Sequence, residues 1–399
     1  MKKRYGSLIN GSWIKHKKTF DVRNPFDNSK ILEVYDAEET GTFEAIKSSA
    51  NAFKKWKKTS AEERSYFLKK FNSLVLKNKK SFAQIITKES GKPLKESYVE
   101  VDYGASFIEW SANQCLRNCG KIFESPEKTK RMFYIKQPVG VVAAITPWNF
   151  PLAMVTRKVC AALAAGCCVI LKPSELTPIT ALVLGELSIE AKFPNGIFNI
   201  INGKPDIIGD ILSKNSTVKK ITFTGSTKVG SLLMKNSSKT IKNISLELGG
   251  NAPFIVFSDA NIDLAVEGLI NAKFRNAGQT CISANRIFLN KEIYEIFLIK
   301  LKDRLKKMKI GSGLKDCDIG PLISKQALQK VKNHIQDAID KGAKLEFGGK
   351  LHKPNSLLFE PTLLTNIKQN MLVFKRENFG PVVPILIFEK DIEAIEIAN

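Results

Sequence analysis

The pattern of apolar and polar positions divides the chain into a helical first part and an alternating second part. Between about residues 40 and 115 apolar residues recur at helical spacing, interrupted by Lys92-Pro93 after Gly91. Around 118–136 two short alternating runs predict a pair of strands. The first part is therefore predicted to be mainly helical, with a two-stranded insertion.

From Pro138 to about Ser258 short β-rich runs alternate with helical stretches and turns, as right-handed βαβ units require. The predicted strands are 139–145, 168–171, 197–201, 220–224 and 244–248. This alternation predicts a doubly wound α/β sheet, which binds ligands at the carboxyl ends of its strands.

The remaining residues predict further mixed structure. The expected elements are strands at 253–257, 286–290 and 384–388 and helices at about 261–275, 291–309 and 325–341. The last nine residues read as two turns of an amphipathic helix with Asp391 near its N-cap, too short to be stable alone. The chain is thus expected to stop inside an element, the alternative being a frayed natural C-terminus.

The composition is that of a globular protein, with 43% apolar and 25% charged residues among 399. This length predicts two domains or one large α/β unit. The longest apolar stretch, Val159 to Leu171, is shorter than the roughly 18 residues that cross a bilayer, and no apolar segment follows the basic N-terminus. We expect a cytoplasmic protein with no membrane partner.

The net charge is +23, but only 10 of the 62 basic residues are Arg, and the Lys residues are scattered. Because phosphate and base recognition favours Arg, a solvated basic surface is the preferred interpretation, and no nucleic-acid partner is expected. Seven Cys without framework spacing predict reduced thiols. Three widely spaced His argue against a zinc site, so no metal is expected.

Polar residues stand in four turns that follow predicted strands. These turns are TPWNFP at 146–151, LKPSE at 171–175, GSTKVG at 225–230 and LELGG at 246–250. Backbone N–H groups of GSTKVG would suit a pyrophosphate, or the segment is simply a strand-to-helix turn. Glu247 is expected to be buried, which would raise its pKa toward the range of a general base. Each turn taken singly also fits a cap or a paired core charge.

The segment FRNAGQTCISANR, 274–286, contains the best candidate nucleophile. A helix is predicted to end near 276–278, which would leave Cys281 in a short, accessible loop. Three other cysteines lie in the apolar stretch and are predicted to be inert core residues: Cys160, Cys167 and Cys168.

Six motifs in a fixed order, TPWNFP, LKPSE, FTGS, LELGG, GQTC and ENFGP (377–381), make the chain resemble an aldehyde dehydrogenase from its first strand pair to its last residue. The resemblance implies an α/β aldehyde dehydrogenase fold with three parts. They are a Rossmann-like NAD-binding domain at 1–117 and 137–247, an oligomerisation strand arm at 118–136, and an α/β catalytic domain at 248–399. The arm implies homodimers or homotetramers.

The resemblance also assigns roles. Cys281 would attack the aldehyde, the Asn149 amide would hold the oxyanion, and Glu247 would be the general base that hydrolyses the thioester. The implied cofactor positions are Lys172 and Glu175 at the adenosine ribose, Gly225 and Ser226 at the pyrophosphate, Glu377 at the nicotinamide ribose, and Thr146, Pro147, Trp148 and Phe379 in the same site. Glu175 would repel a 2′-phosphate, so NAD is expected rather than NADP.

The segments 104–110, 154–158 and 274–286 are most similar to succinate-semialdehyde dehydrogenases. In that group two arginines clamp the distal carboxylate of the substrate, and they fall here on Arg157 and Arg275, with a structural ion pair as the alternative. Ser283 stands where some relatives have a second Cys, so a disulfide switch is not expected.

Members of the family run to roughly 450 to 500 residues, so this chain is expected to be truncated at its C-terminus. The missing part would supply the last catalytic strands, a loop of the substrate pocket and the final strand of the arm, which would leave the arm incomplete and weaken assembly. A non-catalytic remnant that at most binds NAD is the alternative hypothesis.

Overall fold

The computed structural model describes residues 4–399, which form two compact units. Unit 1 contains the described residues up to Arg23, together with Lys30–Ile86 and Tyr98–Leu248. Unit 2 contains Asn24–Ser29, Thr87–Ser97 and Gly249–Asn399. The domain boundaries expected from the sequence stay a prediction.

Both strands and helices make up the chain up to Leu248. The strands are β1 (Arg4–Tyr5), β2 (Ser7–Ile9), β3 (Ser12–Ile14), β4 (Thr19–Arg23), β5 (Lys30–Tyr35), β6 (Lys121–Phe123), β7 (Met132–Tyr134), β8 (Val141–Ile145), β9 (Cys168–Lys172), β10 (Phe198–Ile200), β11 (Val218–Thr224) and β12 (Asn243–Glu247). The helices are α1 (Glu38–Trp56), α2 (Ala61–Lys77), α3 (Lys79–Ser90), α4 (Leu94–Cys115), α5 (Ala153–Ala164), α6 (Ile179–Glu190), α7 (Pro205–Lys214) and α8 (Thr227–Ser237).

The first part of the chain is helical from α1 to α4, and its predicted break is confirmed. The α3 helix ends at Ser90, Gly91 has φ +81°, and α4 begins after Pro93. Such a positive φ favours glycine. Another boundary comes from Ser60, whose hydroxyl accepts a hydrogen bond from the Glu63 N–H and caps α2. The strands β1 to β5, which are two to six residues long, were not predicted.

A seven-stranded sheet organises unit 1, in the order β12-β11-β8-β9-β10-β2-β3. The first five strands are parallel, whereas β2 and β3 are antiparallel additions. The chain runs outward from β8 to β10 and then returns to β11 on the other side of β8. The predicted doubly wound sheet is confirmed, and its direction changes between β8 and β11. Ligands bind at such a point.

The strand pair predicted within 118–136 is also confirmed. Strands β6 and β7 form an antiparallel hairpin whose six residues are all exposed. Ile122 and Phe133 are the most exposed, at 84% and 70%. The hairpin thus presents apolar side chains outside the core of unit 1.

Unit 2 is built on a second sheet. Its elements from Gly249 onward are β13 (Pro253–Val256), α9 (Ile262–Phe274), β14 (Arg286–Asn290), α10 (Tyr294–Lys306), α11 (Lys325–Asp340), β15 (Lys344–Phe347), β16 (Thr362–Thr365), α12 (Leu372–Lys375), β17 (Val382–Phe388) and α13 (Asp391–Ala398). The strand order is β13-β14-β17-β16-β15, parallel except for β15. Strands β15 and β16 and the short α12 were not predicted.

The short helix α13 is held by side-chain contacts from another element. The Arg286 guanidinium donates to the carbonyl oxygen of Ala398 at 2.8 Å, and Ala394 is fully buried. Donation to the last carbonyls satisfies groups that a helix end leaves unpaired. Among the helices within 4–399, none is long and apolar enough to span a bilayer.

Candidate active site

Four of the sequence motifs begin at the carboxyl edge of the parallel strands of unit 1. In the strand register Ile145 of β8 stands opposite Lys172 of β9 and Phe223 of β11, and Thr224 stands opposite Glu247 of β12. The turns that follow these strands therefore begin at one level of the sheet. The structure brings the predicted unit 1 residues to the edge where α/β sheets bind ligands.

The turn after β8 holds Asn149 in a buried position. The Thr146 N–H donates to the Lys172 carbonyl at 3.1 Å, and the Trp148 carbonyl accepts from the Thr177 hydroxyl at 3.3 Å. Asn149 is 4% exposed and Thr146 is equally buried, while Pro147 and Trp148 are half-buried. This turn is fixed on two sides, which would orient an amide that serves as a hydrogen-bond donor.

Lys172 and Glu175 form a donor and acceptor pair after β9. The Lys172 side chain is only 3% exposed, and its Nζ donates to Glu175 Oε2 at 2.9 Å, while the Glu175 side chain is 40% exposed. A carboxylate that is accessible on one side and anchored on the other can accept hydrogen bonds from vicinal hydroxyls.

The turn after β11 offers backbone donors at the start of α8. Ser226 is the N-cap of that helix, and its hydroxyl accepts from the Val229 N–H at 3.4 Å. A Cβ on Gly225 would lie 2.5 Å from the Phe223 ring, so only glycine fits there without rearrangement. Helix N-termini of this kind bind phosphate groups.

The hydroxyl groups of two threonines are buried at this edge. The side-chain oxygens of Thr146 and Thr224 lack a hydrogen-bond partner within the described part of the chain. Buried polar groups are normally satisfied, so their position beside the Lys172–Glu175 pair and the start of α8 fits a polar ligand such as a dinucleotide.

The expected burial of Glu247 is wrong. Its side chain is 53% exposed, because it is the last residue of β12, the edge strand of the sheet, where alternate residues face solvent. The structure instead places Arg157 beside it, with Nη2 to Oε1 at 3.3 Å. The Arg157 guanidinium also lies 5.5 Å from the centre of the Phe107 ring. Glu247 and Arg157 are thus neighbours within unit 1.

A cavity of about 410 Å³ opens beside this pair and is lined by Arg157, Lys158, Thr222 and Glu247, among others. Lys158 is largely buried, and its Nζ donates to the Thr222 hydroxyl at 3.3 Å. Burial lowers the pKa of Lys158 to about 8, against the attraction of Glu247. The wall of this cavity therefore combines cationic groups with one carboxylate.

In unit 2 a strained loop precedes Cys281. Helix α9 ends at Phe274, slightly before the predicted end near 276–278, and Asn276, Ala277 and Gly278 follow with φ values of +53°, +56° and +75°. Two successive non-glycine residues in this region cost about 1 kcal/mol or more each. Such strain persists only where surrounding contacts fix the backbone, and it concentrates at functional sites.

Several side chains supply those contacts. The Asn276 N–H donates to Glu96 Oε2 at 2.7 Å, the Gln279 amide donates to the Asn276 carbonyl at 3.0 Å, and Gln279 Oε1 accepts from the Ile323 N–H at 2.9 Å. Burial raises the pKa of Glu96 to about 7, opposed by Lys92, by the Asn276 N–H and by Arg275. Glu96 was missed from the sequence, because its role depends on a contact 180 residues along the chain.

Cys281 follows this loop in a half-buried position. The prediction that three other cysteines belong to the core is confirmed, since Cys160, Cys167 and Cys168 are all buried. Burial raises the pKa of each of these thiols, that of Cys168 to about 12. Thiolate formation is therefore disfavoured at all three.

The ENFGP segment approaches the loop of Cys281. A Cβ on Gly278 would lie 2.2 Å from the carbonyl oxygen of Gly380, so the two backbones meet closely. Phe379, which directly precedes Gly380, is half-buried and has φ +53°. Two motifs that are about 100 residues apart in sequence are thereby joined within unit 2.

Glu377 is enclosed by the glycines of LELGG. The Gly250 N–H donates to Glu377 Oε1 at 3.4 Å, and a Cβ on Gly249 would come within 2.5 Å of Oε2. Burial raises the pKa of the Glu377 carboxyl, opposed by the Gly250 N–H, Lys330 and Lys273. The glycines are thus explained by close approach to a carboxylate.

One further buried residue of this unit, Lys273, was also missed. It lies in the last turn of α9 and is fully buried. A sequence signal existed, because Lys273 continues the apolar stripe of Val266, Leu269 and Ile270 at helical spacing. Residues on such a stripe are normally apolar, so a lysine there can be recognised from the sequence as an exception.

Comparison with known proteins identifies the family of this chain. The sequence model of the aldehyde dehydrogenase family matches residues 13–399. The chain belongs to the aldehyde dehydrogenase family. The expected α/β aldehyde dehydrogenase fold is likewise confirmed by the similarity to solved structures given below.

Among its relatives is the mitochondrial succinate-semialdehyde dehydrogenase of Oryza sativa, 47% identical over 99% of this chain and 76% of the relative. The succinate-semialdehyde dehydrogenase [NADP(+)] of Escherichia coli is 45% identical over 99% of this chain and 83% of the relative. A betaine aldehyde dehydrogenase from Staphylococcus aureus, solved in complex with NAD+, aligns with a TM-score of 0.96 at 35% identity, over 99% of this chain and 80% of that one.

A metal centre was not expected from the sequence. Within the described ranges no group of three or more His, Cys, Asp and Glu side chains is placed to hold a metal ion.

Proposed function

We propose that this aldehyde dehydrogenase oxidises succinate semialdehyde to succinate with NAD. The observation that carries the proposal is the similarity to succinate-semialdehyde dehydrogenases over 99% of the chain, in a chain that has both Arg157 and Arg275. Two arginines suit a substrate with a second carboxylate, since guanidinium binds carboxylate in a bidentate geometry.

In the proposed reaction the Cys281 thiolate forms a bond to the aldehyde carbon, giving a tetrahedral thiohemiacetal. The Asn149 amide and the Cys281 N–H donate to its oxygen. The hydride acceptor for this carbon would be supplied by bound NAD, and loss of the hydride would leave a thioester on Cys281. Glu247 takes a proton from water, which attacks the thioester and releases succinate and the Cys281 thiolate. The sum is aldehyde, NAD+ and water giving carboxylate, NADH and protons.

The residues that would hold NAD divide by the part of the cofactor they suit. Lys172 and Glu175 would bind the adenosine ribose, Gly225 and Ser226 the pyrophosphate, and Glu377 the nicotinamide ribose. Thr146, with its unsatisfied hydroxyl, and Pro147, Trp148 and Phe379 would complete the site. The orphan hydroxyls and the glycines that admit a close approach support this assignment.

The choice of NAD rather than NADP rests on Glu175. Its accessible carboxylate would accept from a ribose 2′-hydroxyl and repel a 2′-phosphate. The relatives do not decide the choice, since the Escherichia coli enzyme is named for NADP and the Staphylococcus aureus structure holds NAD+.

Steady-state NADH or NADPH formation from succinate semialdehyde tests the activity and the cofactor together. We expect kcat/KM with NAD to exceed that with NADP by about tenfold or more, and Glu175→Gln to reduce the ratio because it removes the repulsion. A preference for NADP in the native protein would contradict the cofactor choice. NAD-dependent thermal stabilisation without any NADH formation would favour the non-catalytic alternative.

We further propose that the hairpin β6–β7 joins subunits of this protein. Its exposed apolar residues lie side by side, since Ile122 pairs with Phe133 and Phe123 with Met132, and a contiguous apolar surface of this kind marks a contact site. Sedimentation velocity should give a dimer or tetramer for the native chain, and Ile122→Asp with Phe133→Asp should shift it to monomer. A native monomer would contradict this assignment.

A further inference from the structure

A fully buried ammonium lies beneath the candidate site of unit 2. Lys273 is 0% exposed, and its Nζ donates to Asn285 Oδ1 at 3.2 Å. Within residues 4–399 no carboxylate makes a direct ion pair with it. Burying an ammonium group without a direct ion pair is costly, so a methionine would fill the same space at lower cost.

Hydrogen bonds connect this ammonium to Glu377. Asn285 Oδ1 accepts the hydrogen bond from Lys273, and Asn285 Nδ2 donates to the Gly250 carbonyl at 3.1 Å. The N–H of Gly250 then donates to Glu377 Oε1 at 3.4 Å. A continuous route thus runs from Lys273 through Asn285 and Gly250 to the carboxylate.

The same turn also contacts the backbone of the nucleophile. A Cβ on Gly250 would lie 3.2 Å from the carbonyl oxygen of Cys281, and Gly249 packs against the Glu377 carboxylate. A displacement of the Gly249–Gly250 turn would therefore change the surroundings of both residues.

We propose that Lys273 is a positioning residue which, through Asn285 and the Gly249–Gly250 turn, holds the Glu377 carboxylate in the orientation that binds the nicotinamide ribose. This inference rests on the proposed role of Glu377 in NAD binding. The cost of the buried ammonium is then offset by a cofactor site that is organised before NAD arrives.

The charges around these groups predict a dependence on pH. Burial lowers the pKa of Lys273 to about 7, against the attraction of Glu377. Glu377 faces Lys273 of α9, the Gly250 N–H, and the exposed Lys330 of α11. As pH rises through 7 Lys273 loses its proton, which weakens its donation to Asn285 and its attraction for Glu377. Affinity for NAD should therefore fall as pH rises from 6 to 8.5.

Isothermal titration of the native chain with NAD, without aldehyde, tests the proposal independently of turnover. We expect the native Kd to rise about tenfold between pH 6 and 8.5. Lys273→Met, which keeps the length and removes the charge, should show the weaker affinity at both pH values and no pH dependence. If Lys273 had only a structural role, its replacement would not abolish the pH dependence of Kd.

Lys330→Met is the matched control, since it removes a positive charge that acts on the same carboxylate without the route through Asn285. It should change Kd by less than about threefold and keep the pH dependence. If Lys273→Met and Lys330→Met changed Kd equally, the positioning role would be overturned. A native Kd that does not vary with pH would also overturn it, and this result requires no variant. Native protein that binds no NAD would overturn the proposed function and this inference together, whereas native binding with unchanged affinity in Lys273→Met would overturn the inference alone.

Discussion

Replacing Cys281 by serine should lower kcat for aldehyde oxidation by at least about 1,000-fold. A serine hydroxyl is hardly ionised near neutral pH and needs a base that activates it, whereas a cysteine thiol is partly ionised and intrinsically nucleophilic. The half-buried Cys281 follows a strained loop fixed by Glu96 and Gln279, while the core cysteines have raised pKa values. The measurement is steady-state NADH formation, with single-turnover mixing to detect residual chemistry.

Cys119→Ser is the matched control for this substitution. Cys119 is exposed and lies outside both sets of site residues, so its replacement should leave kcat unchanged. Cys281→Ser should still be stabilised thermally by NAD, because the cofactor residues are untouched. Retention of more than a tenth of the native kcat by Cys281→Ser would show that another group is the nucleophile.

Removing the Arg275 side chain should affect KM differently for two aldehydes that differ only in the group distal to the aldehyde. Arg275→Ala is expected to raise KM for succinate semialdehyde by about 10- to 100-fold, since a charge-assisted pair with a carboxylate contributes roughly 1.5 to 3 kcal/mol. The KM for butanal, an uncharged aldehyde with the same number of carbon atoms, should change by less than about threefold. Initial rates with the two aldehydes at saturating NAD give both values.

Arg304→Ala provides a comparison within the same unit. Arg304 donates to Glu267 in an ion pair between α10 and α9, and its loss should alter neither KM. Because Arg275 also acts on the buried Glu96, an unchanged kcat for butanal would show that the loop of Cys281 is intact. Equal increases of KM for both aldehydes would contradict the role of Arg275 in binding the substrate carboxylate.

Much of the fold was predictable because local patterning and packing agree. The parallel strands β8 to β12 are short apolar or alternating runs separated by helices, and their turns carry polar residues that a plain connection does not need. The strands β1 to β5 escaped prediction, since strands of a few residues are stabilised by pairing with distant partners rather than by their own sequence.

The site was predictable where a residue follows a strand end directly, as Lys172 and Glu175 do. It was not predictable where the outcome depends on position within the sheet. Glu247 looked buried between two leucines, yet β12 is an edge strand and the carboxylate is half-exposed. Glu96 and Lys273 were not predicted as site residues, because their partners, Asn276 and Asn285, come into contact with them only in the folded chain.

The left-handed run from Asn276 to Gly278 sets a limit on how this protein can be improved by engineering. Position 277 is one where glycine would relieve backbone strain and so stabilise the folded state. The same change would give the backbone before Cys281 more freedom, and a nucleophile works best when it is held in place before the substrate arrives. At this loop, selection for heat resistance and selection for turnover would favour different residues.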